Sequence, residues 1–223
     1  MITLYSGDCL AIMPTLPDNS MEAIITDPPY NECNRDDHGL RSFDKGIADS
    51  SPIDIPALAD EFVRLARGSV YVWCGFRQVS AWCDALVLRG LSIRVGVWDK
   101  INPSPVAGDY LWLSALELCV YGRKPLAYFS EHCAKPIWSG PSELVDGFPT
   151  PKPVWLMRRL IQASVSPGGL VLDPFMGSGS TGVACILEGR NFVGIELNKE
   201  YAEIARRRID DMVGPLFTGV MCD

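Results

Sequence analysis

The sequence predicts an α/β fold built on a mostly parallel, doubly wound sheet. Three observations point there: short, nearly continuous apolar runs, segments of helical periodicity between them, and a glycine turn joining a strand to a helix start at residues 170–182.

The strand-like runs, in order, are "ITLYS" (2–6), "EAIIT" (22–26), "SVYVWC" (69–74), "LSIRVGVW" (91–98), "LELCVYG" (116–122), "LVLD" (170–173) and "NFVGIE" (191–196). Runs this apolar belong in a sheet covered on both faces. In "VWLMRRLIQASV" (154–165), Val154, Met157, Leu160, Ile161 and Val165 share one apolar face. In "KEYAEIARRRIDDMV" (199–213), Tyr201, Ile204, Ala205, Ile209 and Met212 do the same. Ligands of such sheets sit at the carboxyl ends of the strands.

A chain of 223 residues supports one substantial domain, expected over residues 1–213 with a tail at 214–223. Two stretches interrupt the alternation: a long polar loop at 31–55, and an insert rich in Pro, Gly and aromatics at 123–150. A loop as long as the first is a lid, a binding loop or disordered. Apolar runs are too short to span a membrane, and "MITLYSGDCL" lacks the pattern of a signal peptide, so a cytoplasmic protein is expected. Eight scattered cysteines without a C-x-x-C pair, with only two histidines, fit reduced structural thiols and argue against a zinc site. No metal is expected. Charge is uneven: residues 1–60 carry 11 acidic and 3 basic side chains, and the remainder 16 and 17. That balance counts against nucleic-acid binding unless a local basic face supplies it.

"LVLDPFMGSGSTG" (170–182) reads as strand, acid, glycine turn and helix start. Gly177, Gly179 and Gly182 match G-x-G-x-x-G, and Glu196 follows Gly177 by 19 residues, the spacing of a dinucleotide fingerprint. No Lys-Ser/Thr pair closes it as a P-loop. Asp173 repels a pyrophosphate and attracts a cation, which favours S-adenosylmethionine, with its ammonium and sulfonium, over a nicotinamide dinucleotide. A plain structural turn also satisfies this motif alone.

The stretch "TDPPY" (26–30) carries the second signal. Amino groups of nucleobases are poor nucleophiles, because their lone pair is delocalised into the ring. Methylating one requires acceptors that draw the nitrogen toward tetrahedral geometry. Asp27 and the Pro28 carbonyl are such acceptors. Pro28 and Pro29 stiffen the turn, and Tyr30 offers a stacking surface for an extruded base. By itself the tetrapeptide also fits a proline turn with an exposed aromatic.

Together these motifs resemble the permuted, beta-type amino-methylating DNA methyltransferases, in which the catalytic motif precedes the cofactor turn. The resemblance covers nearly all of residues 1–213 and implies a Rossmann-like methyltransferase fold with circularly permuted motif order. It implies catalytic Asp27, Pro28, Pro29 and Tyr30. For the cofactor it implies Asp8 at the adenine with Cys9 beside it, and Thr150 and Lys152 near the methionine carboxylate. Asp173, Phe175, Gly177, Ser178, Gly179 and Thr181 follow in the turn, then Glu196 at the ribose and Asn198. The activity implied is transfer of methyl from S-adenosylmethionine to adenine N6 in double-stranded DNA, since cytosine-N4 relatives usually carry serine in place of Asp27. N4-cytosine methylation of DNA is the first alternative; RNA or protein-amide methylation, a nicotinamide oxidoreductase and a non-catalytic DNA-binding module are the other rival readings. The short insert at 123–150 suggests a homodimer or a separate specificity partner. Arg41, Lys45, Arg123, Lys124 and Lys135 are candidate phosphate contacts; Arg206, Arg207 and Arg208 are expected to serve the helix end and solvent.

Overall fold

The computed structural model describes residues 1–30, 52–105, 108–109 and 111–214. In chain order the elements are β1 (Ile2–Ser6), α1 (Cys9–Ile12), β2 (Met21–Thr26), α2 (Ile55–Leu65), β3 (Ala66–Cys74), α3 (Val79–Leu88), β4 (Ser92–Lys100) and β5 (Leu116–Arg123). They continue as β6 (Ile137–Gly140), α4 (Val154–Ser164), β7 (Leu170–Asp173), α5 (Ser180–Leu187), β8 (Asn191–Glu196) and α6 (Lys199–Val213). The strands form one sheet in the order β1-β8-β7-β2-β3-β5-β4-β6. Pairing is parallel except where β5 runs antiparallel between β3 and β4.

Every residue of β2 is buried, as a strand covered on both faces requires. Alternation assigns the faces. Ile24, Val70 and Val72 pack with Leu58, Phe62 and Trp82 of α2 and α3. Ala23, Ile25, Tyr71 and Trp73 pack with Leu156, Leu160 and Ile161 of α4. Phe62 and Trp82 stack at 5.8 Å on the first side, and each such buried side chain contributes about 1.5–3 kcal/mol.

This topology positions the site. From β7 the chain crosses by α5 to β8 on one flank, while β2 leads by α2 to β3 on the other. β7 and β2 are neighbours, paired at Ala23↔Val171 and Ile24↔Leu172. The crevice at their carboxyl ends is therefore the switch point of the sheet.

Several details depart from the sequence reading. β6 lies inside the irregular insert, pairing in parallel with β4 from Val97↔Ile137. Only residues 52–55 of the expected loop are described, and Ile55 already belongs to α2, whose first turn Asp54 caps through the Ala57 amide. The remainder of that loop, with Arg41 and Lys45, lies outside the described residues, as does the tail from 215 onward. On α6 the buried line is Ala202, Ala205 and Ile209, and Met212 is exposed. The small side chains lie inward because the helix packs close against α5.

Candidate active site

A cavity of about 520 Å³ opens at the switch point, a volume suited to a ligand the size of a nucleoside derivative. Its walls include Asp27 and Tyr30 from the end of β2, and Asp173 and Gly177 from the end of β7. Glu196 from the end of β8 and Asp8 from the end of β1 complete the rim. The two sequence motifs thus face one space.

At the β2 end, Tyr30 donates its hydroxyl to Asp27 Oδ1 at 2.7 Å. The prolines hold the turn, and Gln78 donates to the Pro29 carbonyl at 3.1 Å while its own amide oxygen accepts from Gly75. Lys152 pairs with Asp27 Oδ2, lies 3.0 Å from Glu117 Oε2, and donates to the Tyr30 hydroxyl at 3.1 Å. Glu117 also pairs with Lys100. The Lys152 ammonium sits 5.3 Å from the Tyr30 ring centre and 5.6 Å from that of Trp73, within cation–π range. Burial raises the Asp27 carboxyl, and Lys152 opposes that rise. Burial would also raise Glu117, but its two lysines hold it down to about 2.

The β7 end is built from neutral donors. Asp173 accepts from the Phe175 amide at 3.1 Å and from the Thr181 hydroxyl at 2.7 Å. With only 4% of its surface exposed, burial pushes its carboxyl up to about 7, against those hydrogen bonds. Gly177 and Gly179 adopt φ of 50° and 79°, which L side chains rarely adopt. A Cβ on Gly177 would also stand 2.7 Å from Phe148, and one on Gly179 2.9 Å from Ala205.

The donors of the turn decide its ligand. Gly177 N–H goes to Glu196 Oε2 at 2.9 Å, and Gly179 N–H to the Met176 carbonyl at 2.8 Å. In a pyrophosphate site such amides face the phosphate oxygens. Here Asp8, Asp173 and Glu196 line the same space, an environment for a cation with hydroxyl donors. The residues fit S-adenosylmethionine, and the three carboxylates disfavour the pyrophosphate of a dinucleotide.

Of the catalytic and cofactor residues implied by the resemblance, all but Gly179 line this cavity; Gly179 lies beneath it, against α6. Some carry local duties too. Asp8 caps α1 through Leu10 N–H at 2.9 Å, and Asn198 caps α6 through Glu200 and Tyr201. Glu196 also accepts from the Asn198 amide at 2.8 Å. Burial pushes the Cys9 thiol up to about 12, which makes it an inert lining group. Lys152 stands with Asp27 and Glu117, where the family resemblance placed it near a cofactor carboxylate.

Sequence reasoning missed Glu117, Lys100, Gln78, Phe148 and Arg208. A lone glutamate in the apolar run "LELCVYG" was the available signal for the first. Arg208, expected to serve solvent, instead donates to the Ser178 carbonyl at 2.6 Å, the Ser178 hydroxyl at 2.9 Å and the Ser180 hydroxyl at 3.3 Å. Of the candidate phosphate contacts, Arg123 donates to the nearby Ala127 carbonyl and Lys124 donates to the Asn19 side chain at 3.2 Å. Among the described residues, no helix is long and apolar enough to cross a membrane, and no cluster of metal-ligating side chains occurs.

Comparison with known proteins agrees with this geometry. The type II methyltransferase M2.DpnII of Streptococcus pneumoniae is 30% identical over 241 residues, covering 94% of this chain and 90% of that protein. The crystal structure of the M1.HpyAVI–SAM complex superposes with a TM-score of 0.73 at 29% identity, covering 94% of this chain and all of that one. The cytosine-N4-specific PvuII DNA methyltransferase shares the fold, with a TM-score of 0.76 at 15% identity over 97% of this chain and 88% of its own. Residues 93–207 match the family described as DNA methylase, N6_N4_Mtase. The chain belongs to that family of DNA methylases.

Proposed function

We infer that this DNA methylase transfers a methyl group from S-adenosylmethionine to the N6 amino group of adenine in double-stranded DNA. The observation that carries the reading is the shared cavity: the Asp27–Tyr30 turn and the Gly177 turn face one space at the switch point. Asp8, Asp173, Phe175 and Glu196 would hold the cofactor, whose sulfonium supplies an activated methyl group. Its complex with M1.HpyAVI supports that choice.

At the β2 end, an extruded base would stack on Tyr30. Asp27 and the Pro28 carbonyl would accept its amino hydrogens, since a carboxylate has lone pairs to spare beyond those used by Tyr30 and Lys152. The Pro29 carbonyl is committed to Gln78. In the transfer, the nitrogen lone pair forms the N–CH3 bond and the C–S bonding pair returns to sulfur, leaving a neutral thioether. The nitrogen then carries a surplus proton, which passes to Asp27 and on to water. Holding nucleophile and methyl carbon in line is the chief source of rate. Adenine over cytosine rests on Asp27, since cytosine-N4 relatives usually have serine there. A second copy of the chain or a separate specificity subunit would supply DNA contacts that the short insert lacks.

Methylated DNA digested to nucleosides and weighed should yield N6-methyladenine. N4-methylcytosine alone would overturn the base assignment, and Asp27→Ala methylating at near-parent rate would overturn the mechanism.

A further inference from the structure

We propose that Lys152 is a positioning residue for the transfer, a counter-charge that keeps the Asp27 carboxylate ionised and aimed at the amino group. The inference rests on the role assigned to Asp27 above. Lys152 hydrogen-bonds Asp27 Oδ2 and the Tyr30 hydroxyl, the latter at 3.1 Å, and forms an ion pair with Glu117 Oε2 at 3.0 Å. Only 9% of its side chain is exposed, so these contacts are little screened by water. With its donors engaged in this way, the ammonium holds the Asp27–Tyr30 turn as one unit.

The surroundings give Lys152 its weight. Asp27 and Glu117 bring two carboxylates to one ammonium, and Lys100 supplies the second positive charge on the far side of Glu117. The four charges cancel. Without Lys152, two carboxylates share a poorly hydrated site with one lysine, and that lysine belongs to Glu117. Asp27 is then the group that takes up a proton. The other groups facing it do not help: Tyr30, Asp173 and the Cys119 thiol are neutral or negative, as is the Cys74 thiol behind Tyr30. A protonated Asp27 offers a donor where the amino hydrogens need an acceptor, and cannot receive the surplus proton. Burial already raises Asp27, so it depends on Lys152, its one cationic neighbour among the described residues. Lys152 itself stays charged, because Asp27 and Glu117 together outweigh its burial.

The test compares Lys152→Met, Lys152→Arg and the double variant Lys152→Met/Glu117→Gln. Side-chain carboxyl carbons are titrated by 13C NMR in cofactor-free protein, with Asp27→Asn identifying the Asp27 signal. Single-turnover transfer is then followed against pH at saturating S-adenosylmethionine and DNA. Lys152→Met should move both the Asp27 titration and the acid limb of the rate upward by about one pH unit or more. Lys152→Arg should keep the limb near the parent position. The double variant, which removes the competing carboxylate and leaves Lys100 as a cation, should return the limb part-way, and it reads the same quantity if the single variant misfolds. S-adenosylmethionine affinity should change by less than about threefold. An unmoved limb and titration in Lys152→Met, or a loss wholly accounted for by weaker cofactor binding, overturns the proposal. Near-parent transfer by Asp27→Asn would instead remove the role of Asp27. An inactive Asp27→Asn together with an unmoved Lys152→Met limb removes only that of Lys152.

Discussion

Asp27 and Asp173 end neighbouring parallel strands, are each followed by proline and line one cavity, yet their charges are handled in opposite ways. Asp27 is paired with the Lys152 ammonium, itself shared with Glu117. Asp173 is met by neutral donors, among them the Thr181 hydroxyl and the Phe175 amide, and burial holds its carboxyl near 7. A carboxylate with a built-in counter-ion can stay ionised while it works on a neutral base. One with neutral donors is held only partly as an anion near neutral pH, and a cation arriving from outside completes its ionisation. That contrast supports the proposed division, with the chemistry at the β2 end and the positively charged cofactor at the β7 end.

Exchanging the two carboxylates for amides should break the comparison most visibly. Asp27→Asn should lower single-turnover transfer by about a thousandfold or more while S-adenosylmethionine binding stays within about threefold. Asp173→Asn should weaken cofactor binding by about tenfold to a hundredfold, with transfer largely recovered at saturating cofactor. Calorimetry and single-turnover assays read the two separately. If Asp27→Asn lost the cofactor and Asp173→Asn lost only the transfer step, the assignment of the two strand ends would be reversed.

Much of this contrast was legible in the sequence because it is local. "TDPPY" and "LVLDPFMGSGSTG" each set an acid, a proline and their special residues within a few positions, so strand end and turn can be read together. The apolar runs marked β1 to β5, β7 and β8 for the same reason. β6 was hidden because its four residues, Ile137–Gly140, sit among Pro and Gly and gain strand structure from β4. The partners that set the charges were also hidden. Glu117 reaches Lys152 from β5 and is itself paired with Lys100 of the neighbouring β4, and Gln78 reaches Pro29 from the residue before α3. Such contacts exist only once the chain is folded. The inward line of α6 shifted to Ala202 and Ala205 because Gly179 lets the helix approach to contact distance.

A pH series sharpens the contrast next. A cation-binding Asp173 must be ionised, so S-adenosylmethionine affinity should rise by up to about tenfold per unit from about pH 5 toward 7, and the slope should vanish in Asp173→Asn. Stability of the cofactor-free protein should run the other way. Between the ordinary aspartate range and about 7, the folded state holds a proton on Asp173 that the unfolded chain has released. The contribution of this group is therefore fully present below that window and is lost as pH rises through it. The slope is at most about 1.4 kcal/mol per unit, on an order-of-magnitude basis. Raised Asp27 and Glu196 add to it with the same sign. Denaturant midpoints that climbed from about pH 5 to 7 would mean Asp173 is already neutralised by a cation in the free protein.

The smallest expected effect lies at Arg208, which touches neither strand end directly. It donates to both sides of the glycine turn, at Ser178 and Ser180, from a helix that meets the turn at Ala205. Hydrogen bonds of this kind are worth about 0.5–1.5 kcal/mol each, and Arg208 loses hydration to make them. Arg208→Ala should therefore weaken S-adenosylmethionine binding by about threefold to tenfold through a looser turn. It should leave the pH dependence of transfer at the Asp27 end unchanged, because the two ends are braced by different elements. Arg208→Lys should recover part of the loss, since one ammonium can reach the Ser178 carbonyl without spanning both serines. If Arg208→Ala instead moved the acid limb of the transfer rate, the glycine turn would be setting the charge of Asp27, and the separate bracing of the two ends would be wrong.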